Sequence, residues 1–130
     1  MTTPSVPVSQ IVTAADLVTA YAAGQRNFEY VILADTDLSG ADLKGCDFSY
    51  ADFSAANLSG SNLRGADLSY ANLREANLTA ADLRGAMLIG TDLRTANITD
   101  TQFHQADYDP QETHFPAGFD PIQQAMKADR

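Results

Sequence analysis

The sequence predicts an all-β solenoid, a chain wound into short coils that stack on one another. A large apolar or aromatic residue stands at every fifth position from Phe28 to Tyr108, and a small residue precedes most of these centres by two positions. A period of five fits neither an α-helix, which repeats every 3.6 residues, nor a continuous strand, which repeats every two. The chain must therefore change direction within every five-residue unit.

Each unit combines a short extended segment with a turn. The centre and the small residue two positions before it share one face, which is the spacing of a strand. The two residues after the centre turn the chain, and a glycine at the second of them suits the positive φ of a type II turn. These glycines are Gly40, Gly45, Gly60, Gly65, Gly85 and Gly90. With corners near a right angle, four units close one coil, so the 17 units of residues 26–110 predict about four coils.

These units resemble the repeats of a known family. The run Ala66–Leu78 reads ADLSYANLREANL, which is similar to the pentapeptide-repeat consensus A(D/N)LXX. The resemblance covers residues 26–110 and implies the family's fold, a right-handed quadrilateral β-helix. The flanking residues 21–28 and 115–121 are also similar to the lead-in and tail of small cyanobacterial members.

The two ends of a solenoid expose its core and unpaired backbone, so both need covers. Within an N-terminal lead of residues 1–25, residues 13–23 predict a helix that begins at the N-cap Thr13 and ends before Gly24. We expect this helix to plug the first coil, although a partner-binding helix is an alternative. Residues 111–130 are expected to fold over the last coil as a C-terminal cap. The apolar residues of this tail are Phe115, Phe119, Ile122 and Met126. Capped at both ends, the protein is expected to be a monomer.

The composition argues against several classes of protein. Among the 130 residues, 17 Asp and Glu stand against 8 Lys and Arg, which gives a formal net charge of −9. This balance argues against direct nucleic-acid binding, which usually needs a basic stripe, and against docking on an anionic membrane. The sequence has no apolar run long enough to span a bilayer, and we expect no secretory signal, because the first residues have neither a basic flank nor an apolar stretch. Cys46 is the one cysteine and forms no internal disulfide, so we expect a cytoplasmic protein.

The sequence contains no recognisable catalytic or cofactor site. Its carboxylates alternate with amides by repeat, whereas a catalytic pair needs two carboxyl groups in different environments within a cleft. His104 and His114 lack metal-ligand spacing with cysteines, and no calcium-loop or phosphate-binding motif is present. Cys46 falls at an inward small position, where a thiol serves as packing. We therefore expect no enzyme activity, no metal and no cofactor.

Residues 20 positions apart stack on the same side of such a coil, so outward columns can be followed in the sequence. On the first side, one turn position carries three tyrosines, and two further large residues stand near its upper end. An outward cluster of large groups can mark an interaction site. The alternative is that the tyrosines only pack coil on coil, as cross-strand aromatic pairs do. The first candidate protein-binding surface consists of Tyr30, Tyr50, Tyr70, Met87 and Ile89.

The other sides differ in charge. The second side carries carboxylates beside Arg74 and Arg94, which suggests solvated ion pairs that contribute little each. The third side is nearly uncharged, which suggests a structural ladder of amides and hydroxyls. The fourth side carries a basic column, which forms either a second candidate surface for an acidic partner or a solvated face. The column consists of Lys44, Arg64, Arg84 and His104.

Two functions from different classes remain open. The first is a small protein-interaction module or scaffold, because a regular repeat core leaves the outer columns free to vary. The second follows from the resemblance, since some pentapeptide-repeat proteins mimic duplex DNA and bind DNA gyrase. The net charge of −9 fits such mimicry. Three features do not fit DNA mimicry: the short repeat region, the basic column, and a C-terminal cap where such mimics have a dimer contact.

Overall fold

The body of the chain is a four-sided β-solenoid. In this computed structural model, which describes residues 5–129, every fifth residue pairs in parallel with a residue of the next coil. The two partners of each pair are separated by 20 residues, in every pair from Asn27 with Asp47 to Met87 with Asp107. The predicted coil of four units is therefore confirmed. We number the coils from this pairing as coil 1 (27–46), coil 2 (47–66), coil 3 (67–86) and coil 4 (87–106).

Regular helices and strands are short. A 3-10 helix spans Val8–Gln10, α1 spans Ala14–Ala22, and strands β1 and β2 span Asp107–Tyr108 and Lys127–Ala128. In coils 1 to 4, each side contributes a single bridging residue to the ladder, because a turn follows almost at once. No helix among the described residues is long and apolar enough to cross a lipid bilayer.

A β-turn forms each corner of the coil. The carbonyl of the centre accepts a hydrogen bond from the N–H three residues on, as between Phe28 and Val31 at 3.1 Å. The third residue of the turn has a positive φ at every fifth position from Tyr30 to Gln105, as predicted from the glycines. Ten residues other than glycine also adopt this conformation at these positions, although it costs an L-residue about 1–2 kcal/mol. Hydrogen bonds between coils therefore impose the turn even where the local sequence disfavours it.

The Asp or Asn before most centres stabilises the turn that follows. Its Oδ1 accepts a hydrogen bond from the backbone N–H two residues on, as Asp47 does from Ser49 at 3.0 Å. The Ser49 hydroxyl donates to the same oxygen at 2.7 Å. These Asx turns explain why the repeat keeps Asp or Asn at a position that points to solvent.

The core is a stack of centres with small residues between them. Phe28 and Phe48 stack with ring centroids 5.7 Å apart, and Phe53 meets Phe48 edge to face at 5.0 Å. Leucines continue this stack through coils 2 to 4. Cys46 is buried at a small position, where burial raises the pKa of its thiol to about 12. This thiol therefore lies in the packed core, away from solvent.

Helix α1 lies against the N-terminal end of the solenoid. Thr13 is its N-cap, and a reciprocal hydrogen bond with Asp16 completes a capping box. Leu17 and Ala20 are buried in the same apolar cluster as Phe28. The neighbouring Val18 is exposed, so the buried face of the helix is set by Leu17 and Ala20.

The C-terminal tail continues the solenoid beyond the predicted coils. Met87 and Asp107 pair at the usual separation of 20 residues, whereas Asp92 pairs with His114 at a separation of 22. Two extra residues are therefore inserted between Asp107 and His114. Strand β1 then pairs in parallel with β2, which gives the tail the spacing of a further coil. The backbone pairing between coils therefore continues past residue 110, where the sequence repeat ends.

Two tail phenylalanines cover the upper end of the core. Phe115 and Phe119 stack at 4.6 Å, and Phe119 meets Phe103 edge to face at 5.0 Å. Met126 is buried as expected, whereas Ile122 is exposed and takes no part in the cover. Ile122 lies in the turns before β2, where its side chain faces solvent.

Candidate interaction surface

Three tyrosines form a stack along one corner of the solenoid. The rings of Tyr30 and Tyr50 lie 5.0 Å apart at 11°, and those of Tyr50 and Tyr70 lie 5.3 Å apart at 14°. They remain 62 %, 50 % and 45 % exposed in that order. The structure thus brings these residues into one column, where they pack coil on coil and still face solvent.

The tyrosine stack occupies backbone positions where glycine would be less strained. The φ values of Tyr30, Tyr50 and Tyr70 are 66°, 61° and 60°. An aromatic pair contributes about 0.5–1.5 kcal/mol beyond its buried area, which is comparable to the left-handed strain. The stacking contribution is therefore of the same size as the left-handed strain at these positions.

The upper end of the stack is closed by the C-terminal tail. The hydroxyl of Tyr70 donates a hydrogen bond to Glu112 Oε2 at 2.8 Å, and this bond raises the pKa of Tyr70. The Tyr70 ring also lies over Gly90, where an added Cβ would clash with the Cε1 and Cδ1 atoms of the ring. Gly90 occupies the next position of the tyrosine column, and its lack of a side chain leaves room for the Tyr70 ring.

Met87 and Ile89 lie beside the tyrosine column on the first side. Met87 belongs to the column of bridging residues, between Asp67 and Asp107, and is exposed. Ile89 is half-buried, and its carbonyl accepts a hydrogen bond from the N–H of Tyr70. Met87 therefore adds apolar surface to this side, while Ile89 adds only part of its side chain.

A groove lies at the lower end of the tyrosine stack. It has a volume of about 480 Å³ and is lined by Val8, Ser9, Ile11, Val12, Glu29, Tyr30 and Ile32. Ile32 and Val12 are 69 % and 65 % exposed, so they extend the apolar surface beyond Tyr30. The groove joins the N-terminal segment to the first and second sides of coil 1.

Carboxylates without a basic neighbour lie on the same side. Glu29 lies near Asp47, and the proximity of the Asp47 carboxylate, with further repulsion from Asp67, raises the pKa of Glu29. Burial opposes ionisation of Asp47, but hydrogen bonds from Ser49 outweigh it and lower the pKa of Asp47. Within residues 5–129, the ion pairs include none of these three carboxylates. The first side therefore presents negative charge beside the tyrosines.

The basic column of the fourth side is largely paired with acid. Arg84 contacts Asp82 at 2.7 Å and Arg64 approaches the same carboxylate at 4.0 Å, which lowers the pKa of Asp82. Lys44 and His104 are exposed at the two ends of the column. The structure thus places the four residues in one column, but Asp82 neutralises much of its centre.

The second side repeats this arrangement around Asp92. Its carboxylate contacts Arg94 at 2.8 Å and Arg74 at 4.0 Å. Hydrogen bonds from Arg94 lower the pKa of Asp92. Exposed pairs of this kind contribute little to stability, as expected from the sequence.

Comparison with known proteins identifies the repeat. The family model described as pentapeptide repeats matches eight copies over residues 27–60, 46–85 and 76–107. The chain belongs to the pentapeptide-repeat family. Its four-sided solenoid is therefore the right-handed quadrilateral β-helix of that family, as the resemblance implied.

Solved structures of cyanobacterial pentapeptide-repeat proteins are similar to this chain. The protein alr5209 from Nostoc PCC 7120 is 46 % identical, with 92 % of this chain and 99 % of that chain covered and a TM-score of 0.89. Rfr23 from Cyanothece 51142 is 24 % identical, with 85 % and 71 % covered and a TM-score of 0.46.

HetL from Nostoc sp. strain PCC 7120, described as involved in heterocyst differentiation regulation, is 32 % identical, with 81 % and 57 % covered and a TM-score of 0.40. None of the curated proteins matches this chain at a significant level.

Two residues of the apolar surface were missed in the sequence. Ile32 stands where the pentapeptide repeat usually has Asp or Asn, as Met87 also does. The exposed position of Ile32 could therefore have been predicted from the repeat. Val12 belongs to no repeat, and only the path of the N-terminal segment places it beside Ile32.

Proposed function

We propose that this pentapeptide-repeat protein is a non-enzymatic interaction module that binds a protein partner through the tyrosine surface. This surface comprises Tyr30, Tyr50, Tyr70, Ile32 and Met87. Helix α1 and the C-terminal tail act as the two caps in this proposal, so that the protein works as a monomer with its sides free. No group of metal-ligating side chains is found among residues 5–129, and the proposal needs none.

The exposed tyrosine stack is the observation that carries this proposal. Tyrosine is enriched at protein interfaces because its ring supplies contact area and its hydroxyl supplies a hydrogen bond. Each ring of Tyr30, Tyr50 and Tyr70 is already held against a neighbour, so binding costs little further side-chain entropy. Such a pre-organised surface favours a protein partner over a small molecule, since it is an open column beside one groove.

Substitution of the tyrosines should abolish capture of the partner without unfolding the chain. The double variant Tyr50→Ser/Tyr70→Ser removes two rings of the stack, whereas Arg64→Ser/Arg84→Ser removes two side chains of similar exposure from the fourth side. We expect immobilised wild type and the arginine variant to capture the same protein from the source cell's lysate. The amount of partner captured by the tyrosine variant should be at least about tenfold lower than for wild type, as expected when hot-spot residues are removed.

Circular dichroism and mass spectrometry complete this experiment. Equal capture by the tyrosine variant would contradict the proposal, and unfolding of that variant would assign the stack to coil packing. Loss of capture in the arginine variant alone would move the site to the basic column.

The alternative of DNA mimicry has a separate test. It is supported by the net charge of −9, but the basic column, with Lys44 and His104 exposed at its ends, interrupts an all-negative surface. Mimicry predicts inhibition or protection of purified DNA gyrase in a supercoiling assay, with steep loss at higher salt. Binding through the tyrosine surface should depend much less on salt. Gyrase activity that responds to wild type and to the tyrosine variant equally would favour mimicry.

A further inference from the structure

We propose that the groove beside Tyr30 receives an arginine side chain from a basic segment of the protein partner. This inference rests on the proposed function, because the groove is the lower end of the tyrosine surface. It specifies the chemistry of the partner, which the tyrosine stack alone leaves open.

The walls of the groove are apolar and are held in place by the N-terminal segment. Val8, Val12 and Ile32 line it, and the 3-10 helix Val8–Gln10 forms one side. Gln25 fixes the start of this segment, since its side chain accepts from the N–H of Val6 at 2.8 Å and donates to the carbonyl of Val6 at 3.0 Å. The groove is therefore formed before binding, and its walls suit the aliphatic stem of a long side chain.

The Tyr30 ring supplies a surface for a planar cation. Tyr50 covers one face of this ring, while Tyr30 remains largely exposed and lines the groove. A guanidinium group stacks favourably on the face of an aromatic ring. Glu29 precedes Tyr30 in sequence and lines the same groove, so one guanidinium can stack on the ring and pair with the carboxylate.

The charge around the groove selects a cation over other occupants. Asp47 and Asp67 repel the Glu29 carboxylate on this side, and the ion pairs of residues 5–129 include none of these three groups. A wholly apolar segment would remove Glu29 from water without a partner, which is unfavourable. An anionic segment would add a fourth negative charge. Arginine matches the apolar walls, the ring and the carboxylate together, whereas lysine lacks the planar group.

A peptide pair tests this inference without the natural partner. The peptide Ac-Ala-Arg-Ala-Arg-Ala-NH2 is titrated into the isotope-labelled full chain and followed by NMR, beside the same peptide with citrulline in place of arginine. We expect saturable shifts of the amides of Val12, Glu29, Tyr30 and Ile32 with the arginine peptide. The citrulline peptide, which has the same shape and no charge, should bind at least about tenfold more weakly.

Matched variants locate the binding site. Glu29→Gln should lower the affinity for the arginine peptide by about tenfold. Glu75→Gln, which removes an exposed carboxylate from the second side, should leave this affinity unchanged. Equal binding of both peptides, shifts outside the groove, or equal effects of both variants would overturn the inference.

Capture of the partner separates the two proposals. If the tyrosine variant loses the partner but Glu29→Gln and excess arginine peptide have no effect, the groove inference fails and the interaction module stands. If the tyrosine variant retains the partner, the proposed function itself fails, whatever the peptide does.

Discussion

Replacement of Leu68 by Asp should abolish folding. Leu68 is a fully buried centre in coil 3, and its N–H pairs with the carbonyl of Met87 in the next coil. A carboxylate at this position would be buried without a partner, at a cost of several kcal/mol. That loss is comparable to the about 5–15 kcal/mol that stabilises a typical domain. Circular dichroism and urea titration of the purified variant measure the result.

An outward substitution in the same coil is the control for Leu68→Asp. Asn77 accepts hydrogen bonds from the N–H and hydroxyl of Thr79 through its Oδ1. Asn77→Asp keeps this oxygen and introduces the same charge on the nearly uncharged third side. We expect it to change the free energy of unfolding by less than about 0.5 kcal/mol. A soluble, folded Leu68→Asp protein would contradict the assignment of inward and outward positions.

Replacement of Leu17 by Asp should detach helix α1 from the solenoid. Leu17 is fully buried in the same cluster as Phe28, the first centre of coil 1. A charge at this position would oppose the packing of the helix and expose the apolar end of the core. We expect a loss of at least about 3 kcal/mol in stability and concentration-dependent association of the exposed ends. Urea unfolding and analytical ultracentrifugation measure the two effects.

Val18 provides the matched control for Leu17→Asp. It is the next residue of the same helix and is exposed, so Val18→Asp adds the same charge to the outer face. This variant should remain monomeric with nearly unchanged stability. A folded, monomeric Leu17→Asp protein with wild-type stability would contradict the capping role proposed for α1.

The repeat region was predictable because its signals are local. Every unit contains its own centre, and most contain their own Asx turn and left-handed corner, so a period of five specifies coil and core together. The C-terminal coil was not predictable in this way, because two extra residues between Asp107 and His114 break the period. Its pairing between β1 and β2 joins residues 20 apart after the repeat signature has been lost.

The candidate surface was only partly predictable. The tyrosine stack follows from the spacing of 20 residues, since Tyr30, Tyr50 and Tyr70 must share a column once the coil is known. The contact between Tyr70 and Glu112 depends on the path of the tail, which no periodicity reports. The groove likewise depends on the N-terminal segment, whose Val8 and Val12 carry no repeat signal.

Site-specific photo-crosslinking tests the central claim, that the tyrosine stack faces a protein partner. A photoreactive phenylalanine derivative replaces Tyr50 in one protein and Ala55 in another. Both are exposed residues of coil 2 at the same left-handed turn position, on adjacent corners, with φ values of 61° and 56°. After irradiation in the source cell's lysate, we predict a discrete crosslinked protein from position 50 and a much weaker band from position 55. Equal labelling at both positions, or labelling at 55 alone, would contradict the claim.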